Sequence, residues 1–383
     1  MFDQELSTEI IILLLLFGVA ALAQLFFNLW FYRRLTNKRY YSSADKSSAD
    51  KKRDPVSVII CARNEADNLK ENLPFILDQN YPDFEVIVVN DCSEDETEEV
   101  LTELAGKYSN LRISTIHKES SLVHSKKLAL FIGIKAARND ILLLTDADCR
   151  PVSPEWISLM AENFSDETSF VLGYGGFLGG KGILNRYIRY DAMVTALRYI
   201  TMTMAGRPYM GVGRNLAYRR SLFFRNRGFG PNLYLQAGDD DLFVNRLANS
   251  KNCRIQSSPD SFTRSAAVRN RSSFWKQKTR HIATTKLYRP GLKIVLASDP
   301  ATRILLWILF PFIIAGGWLL PITIPLFGIV WLTRIIILRR AQKVLNETDL
   351  LLHSLLFDIV SPIISAIFLT GSRMNRHQSW EWK

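Results

Sequence analysis

ILLLTDADCRP (residues 141–151) runs four apolar residues and a threonine straight into Asp146-Ala147-Asp148. A short apolar run that stops at turn-forming residues reads as a buried strand. Two carboxylates one residue apart at its end then have three readings. They cap a following helix, for which Pro151 and Pro154 are suitable first-turn residues; they stay solvated in a loop; or they hold a hard divalent cation. For the pair in isolation, capping or loop is the cheaper account. The surrounding sequence has to choose.

Working outward, β and α signals alternate. Val56–Cys61 is a β-branched run, and Asp67–Asp78 has the helical spacing Leu69, Leu73, Ile76, Leu77. Phe84–Asn90 predicts a second strand, Thr97–Tyr108 a helix, Leu111–Ile116 a third strand and Lys126–Arg138 a helix; Ile141–Thr145 is then the fourth strand. Such alternation, with strands apolar on both faces, implies a mostly parallel α/β sheet covered by helices. Ligands of these sheets bind beyond the carboxyl ends of the strands. Arg63-Asn64-Glu65 follows the first strand, Asp91 the second and Asp146-Ala147-Asp148 the fourth, so the three clusters should share one rim. Asp91 alone reads more simply as an Asx-turn residue, or as an acceptor for a nucleobase or ribose.

Two further clusters lie downstream. Gly238-Asp239-Asp240-Asp241-Leu242 precedes the apolar helical face Leu242, Phe243, Leu247, so its acids sit at a helix N-terminus. Three adjacent Asp exceed what capping needs, and their repulsion suits a general base. In Phe274–Tyr288, Gln277, Arg280 and His281 share about one helical turn. That stretch is either a basic helix lying on anionic lipid or a grip on phosphate through Arg280.

The 383 residues carry a formal charge of +11 and are 48% hydrophobic, an average that conceals a split. Ile10–Tyr32 is apolar except for Gln24 and Asn28, and about 20 such residues span a bilayer. Asp3, Glu5 and Glu9 precede it and Arg33, Arg34, Lys38 and Arg39 follow, which argues for an anchor with its N-terminus outside rather than a cleaved leader. Ile304–Leu338, interrupted by Gly316, Gly317, Pro321 and Pro325, is long enough for a hairpin of two spans. Leu350–Thr370 carries Asp358, Ser361 and Pro362 at its middle and basic residues behind it, and is expected to be broken or interfacial. The expected organisation is therefore an extracytoplasmic N-terminus (1–9), a transmembrane helix (10–32), a basic polar linker with an SSADK echo (33–54) and a catalytic domain (55–263). A basic interfacial segment (264–303), a transmembrane hairpin (304–338), a cytoplasmic basic linker (339–349), the third apolar segment (350–371) and a cytoplasmic basic tail (372–383) complete it.

No helix-turn-helix, RNA-recognition or zinc-finger pattern accompanies the basic residues, so membrane lipids and a phosphate-bearing substrate, not nucleic acid, are the expected partners. Cys61, Cys92, Cys149 and Cys253 have no metal-ligand spacing and are expected as reduced thiols.

Taken in order, VSVIICARNE (56–65), Asp91, SKKLAL (125–130), TDAD (145–148), GVGRNLAYRRSLF (211–223), GDDDLFVNR (238–246) and QKTRH (277–281) closely resemble glycosyltransferase family 2, inverting nucleotide-sugar enzymes with a GT-A fold. The resemblance covers about residues 55–290, and the apolar flanks are similar to membrane-bound members. It implies donor-nucleotide contacts from Arg63, Glu65, Asp91, Lys126 and Asp146, a Mg²⁺ or Mn²⁺ on Asp148 with Asp146 supporting, and diphosphate contacts from Arg280, Gln277 and His281. It also implies a general base at Asp240, or at Asp239 under the other register. The implied donor is a nucleotide sugar, with a UDP-sugar expected, and the implied acceptor a lipid or glycan at the cytoplasmic face of a bacterial inner membrane. His281 stands where processive polysaccharide synthases carry Trp, and the spans are few for a chain-extruding channel. A processive synthase, a non-catalytic membrane scaffold and a nucleotidyltransferase are the competing readings.

Overall fold

The structure is a computed structural model that describes residues 7–36, 53–117, 125–230, 235 and 237–374. The SSADK echo, most of the linker holding it, and residues 375–383 of the expected basic tail lie outside the described residues.

The α/β half of the chain follows the alternation. Strands β1 (Val56–Ala62), β2 (Phe84–Asp91), β3 (Leu111–Ile116) and β4 (Ile141–Asp146) are joined by helices α2 (Ala66–Leu77), α3 (Thr97–Lys107) and α4 (Lys126–Ala136). The helix preceding β1 is α1 (Thr8–Phe26), prolonged by tighter and wider turns to Thr36. Every residue of β1 is buried, as expected where helices cover both faces. Each Val or Ile so buried contributes about 1.5–3 kcal/mol. Helix α4 comes close to the sheet at Gly133, where an added Cβ would stand 2.7 Å from Ile59. Only glycine allows that approach.

The chain continues through β5 (Cys149–Pro151), α5 (Trp156–Ala161), β6 (Phe170–Leu172), β7 (Gly175–Phe177), α6 (Ile183–Met204), β8 (Leu216–Arg219), α7 (Arg220–Arg225), α8 (Asp241–Leu247), β9 (Cys253–Ile255) and β10 (Thr263–Ser265). The main sheet has the order β3-β2-β1-β4-β8-β6-β9, and β5-β10-β7 form a second, small sheet. β3, β2, β1 and β4 are mutually parallel, with Cys61 opposite Asp146 and Ala62 opposite Asn90. The register therefore delivers the β1, β2 and β4 polar ends to one rim. Together these features make a GT-A α/β fold with a mostly parallel central sheet.

Beyond α9 (Arg271–Thr284) stand α10 (Pro290–Gly316), α11 (Leu320–Val344) and α12 (Leu351–Met374). With α1, they are four helices long and apolar enough to cross a membrane. Leu15, Val19, Leu22, Phe312, Ile322 and Leu352 all face outward from them. Gly317 and Leu319, both in the left-handed region, turn α10 back into α11.

Two expectations are corrected. α10 starts well before Ile304, and α12 runs unbroken through Pro362. Arg303 looked like a boundary and Asp358 a break, but each is paired, with Asp299 as a third member. Arg303 bonds Asp299 at 2.8 Å and Asp358 at 2.9 Å, Arg334 bonds Asp358 at 2.7 Å, and Arg198 of α6 bonds Asp299 at 2.9 Å. Tyr32 and Tyr190 hydroxyls complete the two carboxylates. Paired charges of this kind remove the reason for a helix to leave an apolar setting.

A second knot joins the halves. Glu347, fully buried between α11 and α12, accepts from Arg189 of α6 at 2.9 Å, from Tyr174 at 3.0 Å and from Arg264. Arg189 also takes Asp349 bidentately, at 2.6 and 2.5 Å.

Candidate active site

The rim assembles much as its sequence pattern suggests. Asn64 adopts a left-handed turn after β1, and its amide donates to the Ser93 hydroxyl, tying the β1 and β2 loops together. Glu65 comes next, half-buried; burial raises its carboxyl and Asn68 donates to it at 2.5 Å. Asp91 ends β2 with no exposed surface. The Asx-turn role considered for it belongs to Asp95, which accepts from the Thr97 amide and hydroxyl. Arg63 shares the rim, half-buried.

The capping reading of Asp146 and Asp148 is excluded by the structure immediately downstream of them. The chain goes directly into β5, and α5 begins only at Trp156, with Glu155 at its cap position. Asp146 instead meets the Lys126 ammonium at 2.5 Å, and Asp239 lies 3.9 Å from the same nitrogen. Burial alone would raise the Asp146 carboxyl, but Lys126 outweighs it and the net direction is down. Asp148 is pushed up, by burial and then by Asp146. Ligand atoms of Asp146, Asp148 and Cys149 lie within 4.8 Å of one another. Burial holds the Cys149 thiol well above its ordinary range, and the thiol donates to Asp148 at 3.3 Å. The usable donor set is thus two carboxylates, oxygen ligands that fit Mg²⁺ or Mn²⁺.

Asp240 is carried by a different device. One of its oxygens accepts the Gly213 amide at 2.8 Å and the other the Asp241 amide at 2.7 Å, so it caps α8 and faces a cavity. Arg214, next to Gly213, donates to the Gly175 carbonyl at 2.8 Å and lies over the Phe177 ring, which fixes that loop. Asp239 turns toward Lys126 on the donor side, and its carboxyl is raised, first by burial. Asp241, which also borders the cavity, is held by hydroxyl groups instead. It is buried, accepts from the Thr284 and Tyr288 hydroxyls at 2.5 and 2.7 Å, and is pushed up to about 7 by burial and by Asp240. The three acids therefore have three separate surroundings.

Gln277 and His281 of α9 line the same cavity as Asp240. His281 is exposed toward the cavity, yet desolvation by the protein around it, with Arg280, Lys278 and Arg214, pulls its imidazole below its ordinary range, so it is neutral near pH 7. Arg280 is half-buried, and its charge acts on Asp146 and His281. The structure thus brings Asp146, Asp148, Lys126, Asp239, Asp240, Gln277, Arg280 and His281 to one region, between the strand ends and α9. Sequence reading did not single out Arg214, Asp241, Thr284 or Tyr288. Arg214 sat in plain view within GVGRN, but the partners of Asp241 lie more than forty residues away and carry no local signal.

The cavity measures about 660 Å³ and extends from Asp240 to α10 and α12.

Residues 57–224 match the family described as Glycosyl transferase family 2. The chain is 28% identical over 234 residues to the probable glycosyltransferase YdaM of Bacillus subtilis, covering 59% of this chain and 54% of that protein. It is 29% identical over 191 residues to glycosyltransferase AglE of Haloferax volcanii, covering 48% and 58%. It thus spans a little over half the length of these relatives. The solved structure of the mannosyltransferase PcManGT from Pyrobaculum calidifontis, in complex with GDP-Man and Mn²⁺, superposes with a TM-score of 0.56 at 18% identity. That superposition covers 91% of this chain and 99% of that one, and it shows the shared fold. The fold is thus of GT-A architecture, and the segment 57–224 within it is similar to glycosyltransferase family 2.

Proposed function

We propose that the protein is a membrane-anchored, inverting glycosyltransferase that moves one sugar from a nucleotide-sugar donor to a hydroxyl of a lipid-linked or membrane-proximal acceptor. The observation that carries this reading is Asp240, held by two backbone amides at the point where the strand-end rim opens into the cavity. The names of relatives fit: they include a dolichol-phosphate mannosyltransferase and 4,4'-diaponeurosporenoate glycosyltransferase.

Asp91 and Glu65 hold the nucleoside, and Lys126 and Arg280 bring cationic charge to the diphosphate, Lys126 exchanging Asp146 for phosphate oxygens. Asp148, with Asp146, would hold a Mg²⁺ or Mn²⁺, which supplies neutralisation of charge on the leaving diphosphate. The Asp240 carboxylate accepts the proton of the acceptor hydroxyl as that oxygen attacks the anomeric carbon. The bond to the diphosphate breaks in the same displacement, so configuration inverts and no enzyme-bound sugar forms. Neutral His281 and Gln277 offer hydrogen bonds beside the reacting groups without adding charge. The basic flanks Arg33, Arg34, Arg339, Arg340 and Lys343 favour a cytoplasmic placement of the domain.

The test is a panel of nucleotide sugars presented to the full chain in membranes, with wild type and Asp240→Asn side by side. Transfer of one sugar with inversion, lost in Asp240→Asn while nucleoside-diphosphate binding persists, is the expected result. A long polymer would select a processive synthase, and absence of any turnover a scaffold.

A further inference from the structure

Helix α4 opens with two consecutive lysines, Lys126 and Lys127, at the end where the helix dipole favours acids. Lys126 is accounted for by Asp146 and, in the reading above, by the diphosphate. Lys127 is not. It has no exposed surface, and a lysine is almost never fully buried without partners that offset the loss of water. Its ammonium donates to the main-chain carbonyls of Leu235 and Ala237, at 2.7 Å each. Carbonyl partners fix the path of a backbone, where a carboxylate partner would fix only a side chain. Consecutive helical residues point about 100° apart, so one turn of α4 reaches both the strand-end rim and this stretch of chain.

That stretch leads directly into the acid run. Gly238 follows at a φ of 90°, in the left-handed region, where an added Cβ would also stand 2.5 Å from the Leu242 side chain. Asp239 comes next, 3.9 Å from the Lys126 ammonium, and then Asp240 on the Gly213 amide. The turn at Gly238 is thus bracketed: Lys127 holds the chain before it, and Lys126 draws the carboxylate after it. Only Gly238 and Asp239 separate Ala237 from Asp240, so a shift at the Ala237 carbonyl is passed on to the Asp240 carboxylate. Burial pulls the Lys127 ammonium down while Asp239, Asp241 and Asp240 oppose it, so its charge also acts on all three acids.

We propose that Lys127 is a positioning residue, which ties the turn carrying Asp240 to the helix that presents Lys126 and so aligns the acceptor-side base with the donor. This rests on the transferase reading above, with Asp240 as its base, and adds the element that joins the two sides of the site. Because Lys127 acts through Asp240, its loss should appear in the chemical step and not in donor binding.

The test compares wild type, Lys127→Met and Lys126→Met, each as the full chain in membranes. UDP-glucose, UDP-N-acetylglucosamine and GDP-mannose serve as donor probes, and UDP and GDP with Mn²⁺ as binding probes. Lys127→Met should lower kcat about a hundredfold, the scale of a misplacement of about 1 Å, with nucleoside-diphosphate affinity kept within about twofold. Lys126→Met should instead weaken nucleoside-diphosphate affinity about tenfold or more. Added to Asp240→Asn, Lys127→Met should lower turnover no further, because nothing remains for it to position; a merely structural lysine would lower both backgrounds alike. Lys127→Gln, which keeps N–H donors at the buried position, is the second variant should Lys127→Met fail to fold, and should lose about tenfold in kcat with diphosphate binding intact. Wild-type kcat in the Lys127 variants, a loss of diphosphate affinity matching that of Lys126→Met, or equal losses with and without Asp240→Asn would each overturn the proposal. So would failure of both Lys127 variants to fold, which would assign the lysine to stability alone. Wild type that consumes no donor would instead overturn the transferase reading itself.

Discussion

The strand-end rim and the helical wall of the cavity are built by opposite means. The rim consists of short polar clusters at the ends of parallel strands, each within a few residues of the strand that aims it. The wall consists of single residues from α6, α9, α10 and α12, spread over the chain from Ile188 to Leu369. On the rim, opposite charges are brought together to receive a third, external charge. In the wall and behind it, charges are brought together to cancel: Asp299 and Asp358 against Arg198, Arg303 and Arg334. The same side-chain chemistry serves binding in one region and assembly in the other, and what separates them is whether every partner is already present.

Mutations should separate the two regions cleanly. The largest effect belongs to the junction between them: Asp240→Asn should lower transfer about a thousandfold with donor affinity nearly unchanged, measured as kcat and nucleoside-diphosphate binding on one preparation. On the wall side, Asp358→Leu takes the carboxylate from Arg334 and leaves Arg303 with Asp299 alone, and should cost about 3 kcal/mol or more in unfolding stability. A thermal unfolding transition that stays put would show that the buried pairs are dispensable and the contrast false. On the rim, Asp148→Ala should reduce turnover about a hundredfold and raise the Mg²⁺ or Mn²⁺ concentration needed, with no shift in thermal unfolding. A destabilised Asp148→Ala protein would make the rim as structural as the wall.

The smallest effect concerns Asp241, the acid of the Asp239–Asp241 run that the Thr284 and Tyr288 hydroxyls hold. Its carboxyl moves from 3.8 to about 7 on folding. The folded state therefore binds a proton that the unfolded state has released, and this contribution is complete below 3.8 and fades as pH rises to about 7. Asp241→Asn should gain stability relative to wild type as pH climbs through that window, and a pH-independent difference in melting temperature would refute the assignment.

Much of the rim was legible because a strand and its terminal residues are adjacent in sequence. The boundaries of β1 through β4 fall within a residue or so of the apolar runs, and the parallel register then brings Glu65, Asp91 and Asp146 together. Sequence could not separate readings that differ only in the element downstream. Asp146 and Asp148 looked equally suited to a cap until β5 appeared in place of a helix. The wall was far less legible, for a related reason. Asp358 in an apolar run predicts a break when its partners are unknown, and Arg303 and Arg334 lie tens of residues away on other helices. Of the three acids in GDDD, the pattern favoured Asp240 with Asp239 as the alternative register, and the two backbone amides that hold Asp240 beside the cavity support the proposal that it is the base.

The knot at Glu347 bears on how this protein can be handled. Arg189, Arg264 and Tyr174 of the catalytic half end on that single carboxylate, while Arg198 and Tyr190 end on Asp299 and Asp358 of the apolar helices. Severing the chain after α9 to obtain a tractable water-soluble enzyme would strip these five polar side chains of their counterparts at one stroke. The α/β half has a recognisable outline but not a detachable one, because its arginines and tyrosines end on carboxylates of the segment beyond α9.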